Sequence, residues 1–154
     1  MMFKRGFSLL EMLIVIAIMT IILAVIIIPL SSLRNRQALN SGAEELVSLI
    51  SQARSKTIAA VAGANHGVHL NVDDNKAELF QGDSYPGTTI QILAINPALT
   101  LSDISLDSGG DDIIFEKISG TTGQFGSLTL TLNSDSTQER VIIIEPTGVV
   151  YVRQ

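Results

Sequence analysis

The 154-residue chain has no cysteine and no tryptophan, two tyrosines and four prolines. Without cysteine there is no disulfide framework, no thiolate-ligated zinc and no thiol nucleophile. Charge is scarce too: 16% of residues are Asp, Glu, Lys or Arg, against about 25% in an ordinary soluble domain. Ten basic and fifteen acidic residues give a formal net charge of −5, which argues against a broad electrostatic nucleic-acid surface. What is abundant is apolar: 46% of residues, too many for a disordered chain. The length suits one domain plus an appended segment.

The apolar excess is concentrated at one end. Residues 7–30 hold a single ionisable group, Glu11. As a helix this run would span roughly 36 Å, against a hydrocarbon core of about 30 Å, so it predicts a transmembrane segment. A secretory signal peptide has a shorter apolar core and ends at small residues. This run ends Ile26-Ile27-Ile28-Pro29-Leu30. Lys4 and Arg5 precede it and Arg34 and Arg36 follow, so the positive-inside count is nearly tied; the N-terminus is placed in the cytoplasm.

Glu11 has two readings. With Ser8 it forms Ser-x-x-Glu before an apolar run, a capping box that satisfies free N–H groups and suits the helix dipole. Alternatively it neutralises a positive charge brought by another chain, an attraction of roughly 4 kcal/mol at about 4 Å and an effective dielectric near 20. Pro29 lacks an N–H and its ring crowds the carbonyl of Val25, which predicts a kink or an interfacial break.

Beyond the membrane the pattern changes twice. Over residues 31–63, Leu39, Ala43, Leu46, Ile50, Ala53 and Val61 recur at helical spacing. Gly42 weakens this helix by up to about 1 kcal/mol without ending it, and Gly63 is the expected stop. A helix over residues 8–62 would be about 80 Å long. This arm has a net charge of +2, a face that is either solvated or set against the acidic head of another subunit. Residues 64–154 switch to period two and have a net charge of −8. Strands are expected at 68–72, 76–80, 89–95, 99–106, 113–118, 128–132, 141–144 and 149–152. The class is therefore α+β: a long N-terminal helix packed on an antiparallel β head of about two small sheets.

Few residues suggest chemistry. His66 and His69 are three apart, a metal-binding spacing on a helix but opposite faces on a strand. Asp107-Ser108-Gly109-Gly110-Asp111-Asp112 offers carboxylates for Ca²⁺ but lacks the EF-hand order, and a solvated acidic turn is the simpler reading. Residues 120–126 are glycine-rich without GxGxxG and read as a flexible loop. With no catalytic constellation, the expectation is a non-enzyme with no cofactor and no metal.

The N-terminus resembles the type IV pilin and pseudopilin superfamily. The resemblance is carried by Lys4-Arg5-Gly6-Phe7-Ser8-Leu9-Leu10-Glu11 before the apolar helix: a basic leader, Gly then Phe, and Glu as the fifth residue counted from that Phe. It implies that residues 1–6 are a leader, cut between Gly6 and Phe7 by a prepilin peptidase that also N-methylates Phe7. It further implies that Glu11 faces the new α-amino group of a neighbouring Phe7, and that Pro29 marks where the helix bends or melts in a filament. Residues 7–30 become the membrane and filament-core helix, 31–63 the arm, and 64–154 the periplasmic or extracellular head. Gln52-Ala53-Arg54-Ser55 and Ile144-Glu145-Pro146-Thr147-Gly148-Val149-Val150-Tyr151-Val152 are similar to the GspH/FimT-type minor pseudopilins. That branch implies a subunit of a short type II secretion pseudopilus. It would be held in the inner membrane by a single pass, in contact with lipid, an assembly platform and other pilins or pseudopilins. A type IV minor or major pilin is the alternative. A DNA-uptake pilin is disfavoured, because the head has only four basic residues.

Overall fold

The computed structural model describes the backbone of residues 8–153 and, outside residues 25–32, their side chains. Helix α1 runs Leu9–Ile58 and is followed by a short 3-10 turn, Val61–Gly63. Eight strands follow: β1 His66–Asn71, β2 Lys76–Gln81, β3 Thr88–Ala94, β4 Leu99–Leu106, β5 Asp112–Phe115, β6 Gly126–Leu132, β7 Asp135–Ile144 and β8 Val150–Arg153. They form two antiparallel four-stranded sheets, ordered β3-β2-β1-β5 and β4-β6-β7-β8. The fold is α+β, as expected.

The chain divides into two compact units, residues 1–36 and 37–154. In the second unit the C-terminal part of α1 lays one stripe on the sheets. Leu39, Ala43, Leu46, Ile50, Ala53 and Thr57, spaced three or four apart, are all buried. From the sheets, Val68, Leu70, Leu79, Ile113 and Phe115 meet Leu99, Leu101, Leu128, Leu130, Leu132 and Ile142 in the same core. Gly42 sits where helix and sheet approach closely. A Cβ there would lie 2.6 Å from Leu99 Cδ1 and 3.1 Å from Leu130 Cδ2. Its cost in helix propensity is thus offset by close packing.

Most boundaries fall within two residues of expectation, and three differ by more. The helix ends at Ile58, not near Gly63, because Ala60 (φ 48°) and Ala62 (φ 54°) take left-handed backbone. The cause is tertiary. Thr57 Oγ1 accepts the His66 N–H at 2.9 Å and donates to the Ala53 carbonyl, so β1 turns back against the last helical turn. Val61 is consequently exposed rather than part of the stripe. β5 stops at Phe115 because Ile118 enters a tight turn closed by Gly120 N–H to the Glu116 carbonyl. β7 begins at Asp135, six residues early, since Gln138, Glu139 and Arg140 hide a strand whose partner is β6.

The two sheets are stitched by one residue of the β1–β2 turn. Asn75, at φ 50°, accepts the Leu101 N–H at 3.0 Å and donates to the Leu99 carbonyl at 2.8 Å. Its side-chain amide thereby pairs with the backbone of β4 as a strand would.

Candidate assembly elements

The first element is the N-terminal part of α1. The Ser8 carbonyl accepts from the N–H groups of Glu11 and Met12, at 3.0 and 3.2 Å, so Glu11 lies in the first helical turn. From Ser8 to Ala24 every side chain is exposed, Leu9 at 84% and Ile16 at 66% among them. So wide an apolar surface marks a lipid-facing or partner-facing element. Thr20, polar within it, returns its hydroxyl proton to the Ile16 carbonyl one turn back. Gly6 and Phe7 lie outside the described residues. So does the side chain of Pro29, and with it the expected kink. Among the described residues no helix is long and apolar enough to cross a membrane. Residues 7–30 fall only partly within that set.

The second element is a clamp at the C-terminal end of α1. Arg54 donates from Nε to the Gly120 carbonyl at 3.0 Å and from Nη2 to the Thr147 carbonyl at 3.2 Å. Gly148, at φ 77°, packs so close that a Cβ would lie 2.0 Å from the Gly120 carbonyl oxygen and 2.8 Å from Arg54 Nε. The two stretches that resemble the minor pseudopilins, around Arg54 and around Gly148, therefore meet in space. Residues 120–125 are a loop, but a tied one, and Gly126 already belongs to β6. Thr122 N–H bonds the Pro146 carbonyl, and Gln124 Oε1 accepts from Ile114 N–H and the Thr122 hydroxyl.

The third element is a groove between α1 and the β7–β8 pair. It encloses about 460 Å³ and is lined by Asn40, Ala43, Glu44, Arg140, Val152 and Arg153. Arg140 Nε donates to Asn40 Oδ1 at 3.0 Å, and its Nη1 to the Glu139 carbonyl at 3.0 Å. Nothing in the residue pattern announces this groove, since its lining mixes polar and apolar residues and the Asn40–Arg140 contact joins positions 100 apart.

The histidines separate as strand geometry requires. His66 is fully buried, and neither ring nitrogen has a partner among the described residues. Burial, with a contribution from the Lys56 charge, lowers its pKa below the usual histidine range. His69 has different surroundings. Its Nδ1 meets Asp112 Oδ1 at 2.7 Å and its ring stacks on Tyr85 with centroids 3.8 Å apart. Asp112 is thereby removed from the acidic turn and tied to β1, where it pairs in register with His69. On the same sheet Lys76 bridges Asp74 at 2.8 Å and Glu78 at 3.1 Å, which pushes its pKa up to about 12, Asp74 contributing most. Among the described residues no group of three or more His, Asp or Glu side chains is placed to hold a metal ion.

An exposed apolar helical stretch with one carboxylate in its first turn continues, in the same helix, into a stripe packed on the sheets. The family described as "Prokaryotic N-terminal methylation motif" matches residues 1–27. Those residues carry the motif, and beyond them it is the fold that is type IV pilin-like. The fold of this pilin-like chain is similar to that of the type IV minor pilin FimU of Pseudomonas aeruginosa (strain PAO1). There the identity is 18% and the TM-score 0.58, over 75% of this chain and 93% of that one. It is also similar to the minor pseudopilin EpsH from the Type 2 Secretion System of Vibrio cholerae. There the identity is 15% and the TM-score 0.60, over 75% of this chain and 95% of that one. No curated protein sequence matches the pilin-like chain.

Proposed function

We propose that the chain is a structural, non-enzymatic minor subunit of a type IV pilin-like filament, anchored in the inner membrane by residues 7–30 before assembly. The prepilin peptidase cuts between Gly6 and Phe7 and methylates the new amino group. The apolar helix then leaves lipid and packs against its neighbours, with Glu11 neutralising a neighbouring Phe7 amine. The leading assignment is a short type II secretion pseudopilus, for which the likeness to a secretion-system pseudopilin is the support. A type IV pilus is the second reading, supported by an equally close likeness to a minor pilin.

One observation carries the proposal. A methylation motif over residues 1–27 and a head of minor-pilin fold occur in one chain, joined by one helix. No catalytic step is needed, since burial of the apolar helix among its neighbours supplies the drive, at about 25 cal/mol per Å² less what leaving lipid costs. Mass spectrometry of the chain from its own cells is the test. The expected mature protein begins at N-methylated Phe7, and Gly6 replaced by a bulky residue leaves the leader uncut. Efficient processing of that variant overturns the cleavage site. Deleting the subunit then separates the two systems: loss of secreted proteins marks the first, loss of surface pili the second.

A further inference from the structure

The two sheets end in four edge strands, β3, β5, β4 and β8, and three of them are guarded against pairing with another chain. β5 is four residues long and begins at Asp112, whose carboxylate meets His69. β8 is also four residues long and ends at Arg153. β4 carries Asp103 at φ 44°, where its register with β6 breaks between Ser102 and Ser105. Short length, charge and broken register each stop an edge from accepting a further strand.

β3 is the exception. It is seven residues long, Thr-Thr-Ile-Gln-Ile-Leu-Ala, with no charge and no proline. β2 pairs with one side of it, and no strand pairs with the other among the described residues. A bulge at Ile90 leaves Gln91 to Ala94 in regular register with Leu79 to Lys76. Six of its seven residues are exposed, Ile90 at 42% and Ile92 at 58%. Thr and Ile suit a pleated surface that is at least half covered, and an open edge presents N–H and C=O groups to an extended backbone.

The surroundings select the partner. Residues 84–102 contain no Asp, Glu, Lys, Arg or His, in a head of net charge −8. A charged peptide or a nucleic acid finds no counter-charge along this edge. Two acidic heads repel each other elsewhere but meet here with the least like-charge contact. Self-pairing also covers the unguarded edge of both copies in one step. Pairing β3 with a different strand would have to use one of the guarded edges.

We infer that two copies of the chain pair β3 to β3, antiparallel about a two-fold axis, joining their β3-β2-β1-β5 sheets into one. Ile90 and Ile92 supply apolar contact, and the free backbone groups of each edge supply direction. The inference goes beyond the filament reading and does not depend on it.

The chain has no cysteine, so single cysteines can be placed at each of positions 88 to 94 of the full-length protein, in membranes and in detergent. Across an antiparallel two-fold only the residue on the axis faces its own copy. Each step away adds about 7 Å between the two thiols, and a disulfide needs Cα atoms within about 7 Å. Oxidation should therefore give dimer at one position or two neighbouring ones, the yield falling at least about tenfold two positions further on. Ile90→Lys or Ile92→Lys, whichever leaves the crosslinking cysteine in place, should cut that yield about tenfold with far-UV circular dichroism unchanged. Valine at the same site should keep it. A yield level across the strand indicates parallel stacking or random collision and overturns the proposal. So do crosslinks to other proteins alone, a yield indifferent to the lysine, or no dimer at any position.

Discussion

Glu11 and His66 are both ionisable groups in unusual surroundings, with opposite consequences. Glu11 sits in the first turn of an otherwise apolar, exposed segment. A carboxylate well inside a bilayer costs about 2.5–3.5 kcal/mol, so a partner there is worth having. Glu11→Ala is expected to leave membrane insertion intact and to reduce incorporation into sheared filaments several-fold. Normal incorporation would return Glu11 to a capping role. His66 is buried as a neutral ring without partners among the described residues. Its folded-state pKa is lowered, so its contribution to stability is full above the unfolded value of about 6.5 and is lost as pH falls through the folded value. Melting of the intact chain in detergent should therefore weaken on acidification below that point, and His66→Leu should flatten that part of the profile. Equal slopes for the two proteins would show that another group is responsible.

At the scale of elements, α1 and most strands were legible because periodicity is local. The stripe from Leu39 to Ala53 predicts a buried helix face, and that face is buried. β4 falls at Leu99–Leu106, where alternation places it. The misreadings arose where a distant partner decided the outcome. Thr57 receives the His66 N–H, and this ends the helix at Ile58, ahead of the glycine that signals a stop. Ladder pairing with β6 draws the charged start of β7 into a strand that its own alternation does not announce. Gly42 is the third case: a weak helix former by propensity, yet the close approach to Leu99 and Leu130 needs it. Both neighbours are buried and have little room to move. Gly42→Leu should cost about 1–3 kcal/mol through overpacking, read as a lower denaturant midpoint at unchanged slope. Unaltered stability would mean that the helix can lift from the sheet.

At the scale of the whole molecule, every buried apolar residue described lies between Leu39 and Ile144, inside the unit formed by residues 37–154. That unit contains its own core, and the exposed helix before it contributes nothing to the core. A chain starting at Gln37 should accordingly be soluble and unfold in one cooperative transition by circular dichroism; aggregation or a broad, non-cooperative melt would show that the N-terminal helix is needed. The amino-acid sequence by itself determined the apolar run, its lone carboxylate, the motif before it and the order of helix and strands. These follow from residue spacing and from the cost of placing charge in an apolar run, both properties of neighbours along the chain. Only the tertiary structure decided that Arg54 meets Gly120 and Thr147, that Asn75 joins the two sheets, that Asp112 belongs to His69, and that Arg140 reaches Asn40. Each of these pairings links residues 24 or more positions apart, or gathers side chains whose nearness exists only once the core has closed.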